Sequence, residues 1–190
     1  MRLLHDYLFP VLWLGWAAYW LAGSLSASAP KRVQSPGARL LHRAELAVVT
    51  ALFAFPQLGI GWLGTRFVPW TEALFVIGAS LLVAGLSFAV WARVHLGQYW
   101  SGNVTLKPGH RLIRSGPYAL VRHPIYTGIL LAMLGTALAL DQFRGVLALV
   151  IATQAFVRKL RIEEHWLTEE LGSEYVQYRR EVKALVPGII

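Results

Sequence analysis

The sequence contains no cysteine and few charged residues, and these two absences exclude several classes of protein. Without cysteine, the chain has no disulfide framework, no thiolate nucleophile and no thiolate metal site. Charged residues make up 15% of the 190 residues, against about 25% in an average soluble chain, whereas hydrophobic residues make up 56%. This composition is typical of a membrane protein.

Acidic residues are especially scarce, because 10 Asp and Glu residues stand against 18 Lys and Arg residues. The resulting formal net charge of +8 can indicate a nucleic-acid-binding protein. Here, however, the basic residues are scattered between apolar runs and line no single soluble face. We therefore expect no nucleic-acid partner, and we interpret the positive charge as a signal of membrane topology.

Five apolar segments are predicted to be helices that enter or cross the bilayer, because an open sheet cannot satisfy its backbone in lipid. The last two are short against the roughly 20 residues of a full span. Only Asp141 and Gln142 separate them, which predicts a tight helical hairpin. The segments are about Tyr7–Ala22, Ala44–Gly64, Glu72–Ala92, Tyr126–Leu140 and Phe143–Val157.

Basic residues are distributed unequally between the loops that join these segments. The first loop, the third loop and the tail carry 15 of the 18 Lys and Arg residues, leaving Arg2, Arg66 and Arg144 on the other side. This asymmetry predicts a cytoplasmic carboxy terminus and an amino terminus outside. After Val157, apolar residues spaced by three, four or seven predict an amphipathic cytoplasmic helix, with Gly172 as a point of interruption. The expected fold is thus an all-α integral membrane bundle of about five transmembrane segments.

The stretch Arg114–Gly128 places polar and turn-forming residues at the start of an apolar segment. Unpaired polar groups are costly in an apolar environment, so this cluster indicates a functional site. Pro124 biases His123 away from the helical region and favours a helix that begins at the proline, which puts Tyr126 on the first turn. The alternative is that Tyr118 and Tyr126 are interfacial anchors and that His123 is a helix cap.

Two separated sequence blocks resemble the isoprenylcysteine carboxyl methyltransferase and phospholipid methyltransferase group of integral membrane enzymes. The first runs from Leu96-Gly-Gln-Tyr-Trp-Ser to Gly128 and contains G-P-Y-x-x-x-R-H-P-x-Y-x-G. The second contains Glu163-Glu164, then Leu171-Gly-Ser-Glu-Tyr-Val-Gln-Tyr178, then Val186-Pro187. The resemblance implies methyl transfer from S-adenosylmethionine to a lipophilic or lipidated substrate in the membrane, most like carboxyl O-methylation of isoprenylcysteine. It also implies one domain, in which residues 1–92 are amino-terminal helices and residues 93–190 bind the cofactor and catalyse.

The resemblance also assigns a cofactor pocket. A cationic sulfonium cofactor needs an aromatic or imidazole surface and a carboxylate partner, and Tyr118, His123 and Tyr126 offer such surfaces. Glu163 aligns with the family's cofactor-binding acid, whereas the sequence without the resemblance favours a solvated helical pair of Glu163 with Lys159. The matching positions are Asn103, His110, Arg111, Leu112, Ile113, Tyr118, His123, Pro124, Ile125, Tyr126, Glu163 and Glu164.

Lys159, Arg158 and Arg122 are the candidates for substrate binding and catalysis. Lys159 matches a basic position that contacts substrate in related enzymes, which usually carry Arg there. In this chain Arg stands one residue earlier, at Arg158, and Lys binds an anion as a point charge and not through a planar fork. An amine substrate would in addition need a base, and the sequence offers no obvious one.

Three alternatives remain at this stage: a phospholipid or amine N-methyltransferase, a membrane NADPH-dependent sterol or enone reductase, and a non-enzymatic scaffold. The reductase motif reads R-H-P-N-Y-x-G-E, whereas this chain has Ile125 in place of Asn and Ile129 after Gly128. A scaffold has no need for R-H-P-x-Y. We therefore favour the methyltransferase.

Two further patterns are predicted to have no binding role. Gly59–Gly64 matches G-x-G-x-x-G but lacks the strand and helix that a nucleotide site requires. The acidic and histidine residues near Glu163 show no metal-binding spacing, so we expect no metal.

Overall fold

The computed structural model describes residues 2–24, 32–97, 105–106 and 112–189. Six α-helices form the described part of the chain, and single turns of 3-10 helix lie at Pro56–Leu58, Gly61–Gly64 and Gly116–Ala119. The helices are α1 (Arg2–Ser24), α2 (Pro36–Ala54), α3 (Glu72–Leu96), α4 (Pro124–Leu140), α5 (Phe143–Leu171) and α6 (Ser173–Glu181). Two-residue strands, β1 (Arg32–Val33) and β2 (Thr105–Leu106), form an antiparallel pair. The all-α prediction therefore holds except for this short ladder.

Helices α3 and α4 pack with their backbones in close contact. A Cβ atom on Gly85 would lie 2.4 Å from the Gly128 carbonyl oxygen, and one on Gly128 would lie 2.5 Å from that of Gly85. Gly78 and Gly135 repeat this reciprocal contact two turns away. Small residues at helical spacing permit such an approach within a membrane. The contact fixes α4, whose first turn carries the R-H-P-x-Y motif.

Among the described residues, α3 is the one helix that is both long and apolar enough to cross a membrane, with 25 residues. Helix α4 is apolar but has 17 residues, fewer than the roughly 20 of a full span. The predicted count of about five spans therefore stays a prediction.

Both predicted boundaries of the second helix are wrong. Helix α2 covers Pro36–Ala54, whereas Ala44–Gly64 was expected. It begins earlier because Ser35 accepts a hydrogen bond from the Ala38 amide and a proline occupies the first turn. It ends before Pro56, since the residue preceding a proline is biased against the helical region.

The final hairpin is confirmed, because α4 ends at Leu140 and α5 begins at Phe143. Asp141 makes the turn in the left-handed conformation, with φ of 51°. Helix α5 does not stop near Val157 but continues for 29 residues to Leu171, so the expected amphipathic run is divided between its end and α6. The break lies at Gly172, whose φ of +58° favours glycine.

Candidate active site

The R-H-P-x-Y motif lies where α4 begins, and the end of the chain holds it there. His123 is non-helical, with φ of −121°, and Pro124 opens the helix as predicted. The Arg122 amide donates to the Lys183 carbonyl at 2.8 Å, and the His123 amide donates to the Ala184 carbonyl at 3.0 Å. The motif therefore presents its side chains inward while its backbone is satisfied by the tail.

Glu164 is the centre of a buried ionic cluster behind this turn. Its Oε1 accepts from Arg122 Nε at 2.8 Å, lies 2.6 Å from Arg122 Nη2 and lies 3.2 Å from His123 Nε2. Arg179 Nε of α6 lies 3.3 Å from the other oxygen. Burial raises the pKa of Glu164, but hydrogen bonds and positive charge from His123 and Arg122 outweigh it and bring the pKa to about 2. Glu164 thus remains ionised and joins α5 to α4 and α6.

Glu163 points the other way, toward α4. Its Oε1 accepts a 2.6 Å hydrogen bond from the Tyr126 hydroxyl, and its Oε2 lies 3.5 Å from His123 Nδ1. Burial raises the pKa of Glu163, but His123 and the nearby Lys159 together lower it below the ordinary value. Burial likewise opposes protonation of His123, but Glu163 and Glu164 raise its pKa. The charged forms of His123 and Glu163 therefore stabilise each other.

Aromatic rings form a stacked series beside Glu163. The rings of His123 and Tyr126 are 5.6 Å apart at an interplanar angle of 7°, and Tyr126 and Phe156 are 5.0 Å apart at 20°. Lys159 Nζ lies 5.4 Å from the centroid of the Tyr126 ring. A cation-attracting surface, a carboxylate and an ammonium therefore meet at one place.

These groups line one end of a cavity of about 960 Å³. The cavity follows α4 from Pro124 to Thr136, about 18 Å at roughly 1.5 Å per residue. Its other walls come from α1, α2 and α5 and are mainly apolar. Far from the charged end, Trp13 Nε1 donates to Thr136 Oγ1 at 3.1 Å. One charged end and a long apolar remainder suit an amphipathic ligand.

Most predicted site residues that the structure describes are brought together. The cavity is lined by Leu112, Ile113, Tyr118, Arg122, His123, Pro124, Ile125, Tyr126, Lys159 and Glu163. Two others do not line it: Glu164 lies in the ionic cluster, and Arg158 binds Glu45 of α2. Asn103, His110 and Arg111 lie outside the described residues.

Arg122 lines the cavity, but its guanidinium is bonded to other protein groups. Besides Glu164, its guanidinium donates to the Arg179 carbonyl at 3.2 Å and to the Val182 carbonyl. These bonds occupy the fork of the side chain. We therefore regard Arg122 as a positioning residue that holds the tail against α4.

Sequence reasoning missed the wall that the amino-terminal half contributes. Trp13, Trp16 and Trp20 line the cavity from one face of α1, and His42 lines it from α2. The tryptophan spacing of three and four residues was a usable signal, because such residues share a helix face. Nothing local distinguishes His42, whose relation to the site depends on how α2 packs against α5.

The expectation that two patterns have no binding role stays a prediction. Gly59–Gly64 forms a turn in which the Gly59 carbonyl lies 2.3 Å from a Cβ position on Gly64, without the context of a nucleotide site. No group of three or more metal-ligating side chains occurs in the described part of the chain.

Comparison with known proteins assigns the family. The model of the isoprenylcysteine carboxyl methyltransferase family matches residues 76–169. The chain belongs to this family. Protein-S-isoprenylcysteine O-methyltransferase B of Arabidopsis thaliana is 25% identical over 150 residues, which are 76% of this chain and 70% of the relative. The Schizosaccharomyces pombe protein-S-isoprenylcysteine O-methyltransferase is 36% identical over 101 residues, 52% of this chain and 43% of the relative.

The fold has a counterpart among solved structures. A eukaryotic intramembrane Ras methyltransferase, itself an isoprenylcysteine carboxyl methyltransferase, superposes with a TM-score of 0.57 at 23% identity. The match covers 84% of this chain and 55% of the solved one, so this chain spans about half of that protein. The chain shares its membrane fold, and the prediction of a methyltransferase in place of a reductase is confirmed.

Proposed function

We propose that this protein methylates the carboxylate of a lipophilic, isoprenylcysteine-like substrate within the membrane, using S-adenosylmethionine. The observation that carries the proposal is the asymmetry of the cavity. Glu163 and Lys159 lie at one end, and apolar helix faces line the remainder. A lipid chain suits the apolar part, and the reacting polar groups suit the charged end.

The residues at the charged end fit the proposed cofactor. The Glu163 carboxylate is held in its ionised form and faces the cavity, where it can bind the cofactor's ammonium group by a charge-assisted hydrogen bond. The face of the Tyr126 ring, which is stacked on His123, offers an electron-rich surface to the sulfonium. When bound, S-adenosylmethionine supplies a methyl group activated by positively charged sulfur. Leu112 and Ile113 add apolar wall on the same side.

The protein's own contribution is alignment and exclusion of water. A carboxylate acceptor is ionised near pH 7 and needs no general base, so the enzyme has to position it and remove its hydration. Lys159 is the cation of the candidate pair that faces the cavity, because Arg158 is bound to Glu45. We assign Lys159 to the acceptor carboxylate. The cofactor side is expected to face the cytoplasm, with the amino terminus outside.

Binding of S-adenosylhomocysteine to the purified protein tests the proposal, together with methylation of an S-prenylcysteine. We expect Glu163→Gln to weaken S-adenosylhomocysteine binding by about 1.5–3 kcal/mol, because a hydrogen bond to a charged group is lost. The matched control is Glu169→Gln, which removes a charge from an exposed position on the same helix. Binding of NADPH without S-adenosylhomocysteine would contradict the proposed function.

A further inference from the structure

His42 lines the cavity, and the proposed chemistry gives it no role. It lies on α2, which packs against α5. Its Nδ1 atom is buried and has no hydrogen-bond partner in the described part of the chain. A buried polar atom without a protein partner costs free energy, so a side chain that carries one and also lines a cavity is a candidate ligand contact.

The position of His42 relates it to the charged end of the cavity. The His42 ring lies 6.0 Å from the ring of Phe156, and the Phe156 ring in turn stacks on that of Tyr126. Lys159 of α5 lies within 5.4 Å of the Tyr126 ring and also lines the cavity. His42 and Lys159 thus approach the charged end of the cavity from two helices.

An ion pair holds these two helices in register. Arg158 Nη1 donates to Glu45 Oε1 at 2.9 Å, and Nη2 contacts the second carboxylate oxygen. Glu45 lies one turn after His42, and Arg158 immediately precedes Lys159. A bidentate pair has a fixed geometry, so it sets the separation of His42 and Lys159.

We infer that His42 and Lys159 together bind the acceptor carboxylate, His42 as a neutral N–H donor and Lys159 as the cation, with Glu45 and Arg158 as positioning residues. This inference rests on the proposed function, because it names the subsite for the acceptor's carboxylate. It also explains why Arg158, adjacent to the expected basic position, is turned away from the cavity.

The protonation state of His42 agrees with a donor role. His42 precedes the apolar part of α2, and burial followed by the positive charge of Lys159 lowers its pKa to about 4, against a weaker opposing effect of Glu45. Arg158 also lowers this pKa, and Glu163 raises it. The imidazole is therefore neutral near pH 7 and carries one N–H donor.

Steady-state kinetics with N-acetyl-S-farnesylcysteine test the inference. We expect His42→Ala to raise KM for this carboxylate about 10-fold or more, as for loss of a hydrogen bond to a charged group, while kcat and S-adenosylhomocysteine affinity stay nearly unchanged. His42→Gln keeps an N–H donor and should recover most of the wild-type KM. The matched control His165→Ala removes an exposed histidine from α5 and should change nothing.

The positioning role of Glu45 and Arg158 is tested separately, by KM in two backgrounds. Glu45→Gln should raise KM in the wild-type background but add little in the His42→Ala background, because its effect acts through His42. Competition with the carboxamide of the same compound should show wild-type preference for the carboxylate. This preference should be lost when His42→Ala is combined with Lys159→Ala.

Each contrary result has a distinct meaning. If His42→Ala has the kcat and KM of the wild type, the role of His42 is overturned and the proposed function is not. A fall in kcat without rescue by Gln would overturn the donor role. If the wild type binds S-adenosylhomocysteine but methylates no carboxylate, the proposed function fails and this inference fails with it.

Discussion

The two ends of α4 both bury charged residues but use them differently. At the start of the helix, Arg122 and His123 bind the Glu164 carboxylate beside a cavity. At the other end, Arg144 donates to the backbone carbonyls of Leu52 and Phe55, at 2.7 and 3.1 Å, and thereby closes the end of α2. Neither Arg144 nor Asp141 is among the residues that line the cavity.

The difference shows that burial of charge alone does not identify a functional site. Glu163 and Glu164 make the same point within one helix turn, because Glu164 is surrounded by cationic side chains and Glu163 faces open space. The Glu164 charge, whose partners are all protein groups, holds α5 against the neighbouring segments. The Glu163 carboxylate, which lines the cavity, can in addition form a hydrogen bond with a ligand.

The largest expected effect comes from breaking the cluster at the start of α4. Glu164→Ala leaves Arg122 and His123 buried without their counter-charge, and we expect the free energy of unfolding to fall by about 3–5 kcal/mol. Denaturation of the purified protein in detergent measures this. If stability is retained and only S-adenosylhomocysteine binding is lost, Glu164 belongs to the binding groups after all.

The pH dependence of stability sharpens the same point. The pKa of Glu164 is lowered from 4.5 to about 2, so its contribution is present above pH 4.5 and is lost as the pH falls toward 2. The depression corresponds to about 3 kcal/mol. We expect the stability difference between the wild type and Glu164→Gln to shrink over this interval. A difference independent of pH would contradict the ionic role.

Tyr126→Phe tests the cavity-facing side of this end. The variant removes the hydroxyl that orients Glu163 while keeping the stacked ring. We expect S-adenosylhomocysteine affinity to fall by about 1.5–3 kcal/mol, with KM for the acceptor nearly unchanged. Titration calorimetry measures the first quantity and initial rates the second. Equal losses in both would show that Glu163 serves both subsites.

Arg144→Leu tests the other end of α4. The variant leaves the carbonyls at the end of α2 without their donor, and we expect a stability loss of about 1–3 kcal/mol. Cofactor affinity of the folded fraction should stay at the wild-type value. A selective loss of binding at unchanged melting temperature would remove the contrast between the two ends.

Asp141→Asn is expected to have the smallest effect. Asn tolerates the left-handed conformation of this turn, and Arg66, which pairs with Asp141 at 3.3 Å, is largely exposed and contributes little. Burial raises the pKa of Asp141, so the ionised carboxylate destabilises the fold at neutral pH. We expect stability at pH 7 to be unchanged or higher by at most about 1 kcal/mol. A clear loss would assign Asp141 an essential charge.

The sequence predicts the local geometry of the site better than its long-range partners. The non-helical His123, the helix start at Pro124, the tight hairpin and the break at Gly172 all follow from proline, glycine and apolar runs. The Ser35-Pro36 start of α2 is likewise a local capping signal in the sequence.

The remainder depends on helix packing, which a single sequence does not encode locally. The direction of Glu163 toward Tyr126, and of Glu164 toward Arg122, depends on the rotation of α5 against α4. The same holds for Arg158. In the sequence it stands one residue before the expected substrate-binding position, but in the structure its guanidinium binds Glu45. The partner of Arg158 is therefore set by the packing of α2 against α5.

The backbone bonds between the R-H-P motif and the tail have a consequence for biosynthesis. Arg122 and His123 donate to Lys183 and Ala184, and the Thr127 hydroxyl donates to the Leu185 carbonyl at 2.8 Å. While the ribosome still covers those residues, the first turn of α4 lacks these partners even if every apolar helix is already in the bilayer. Insertion of the apolar helices and completion of the first turn of α4 are therefore separate events, and this turn gains its partners only when residues 183–185 dock against it.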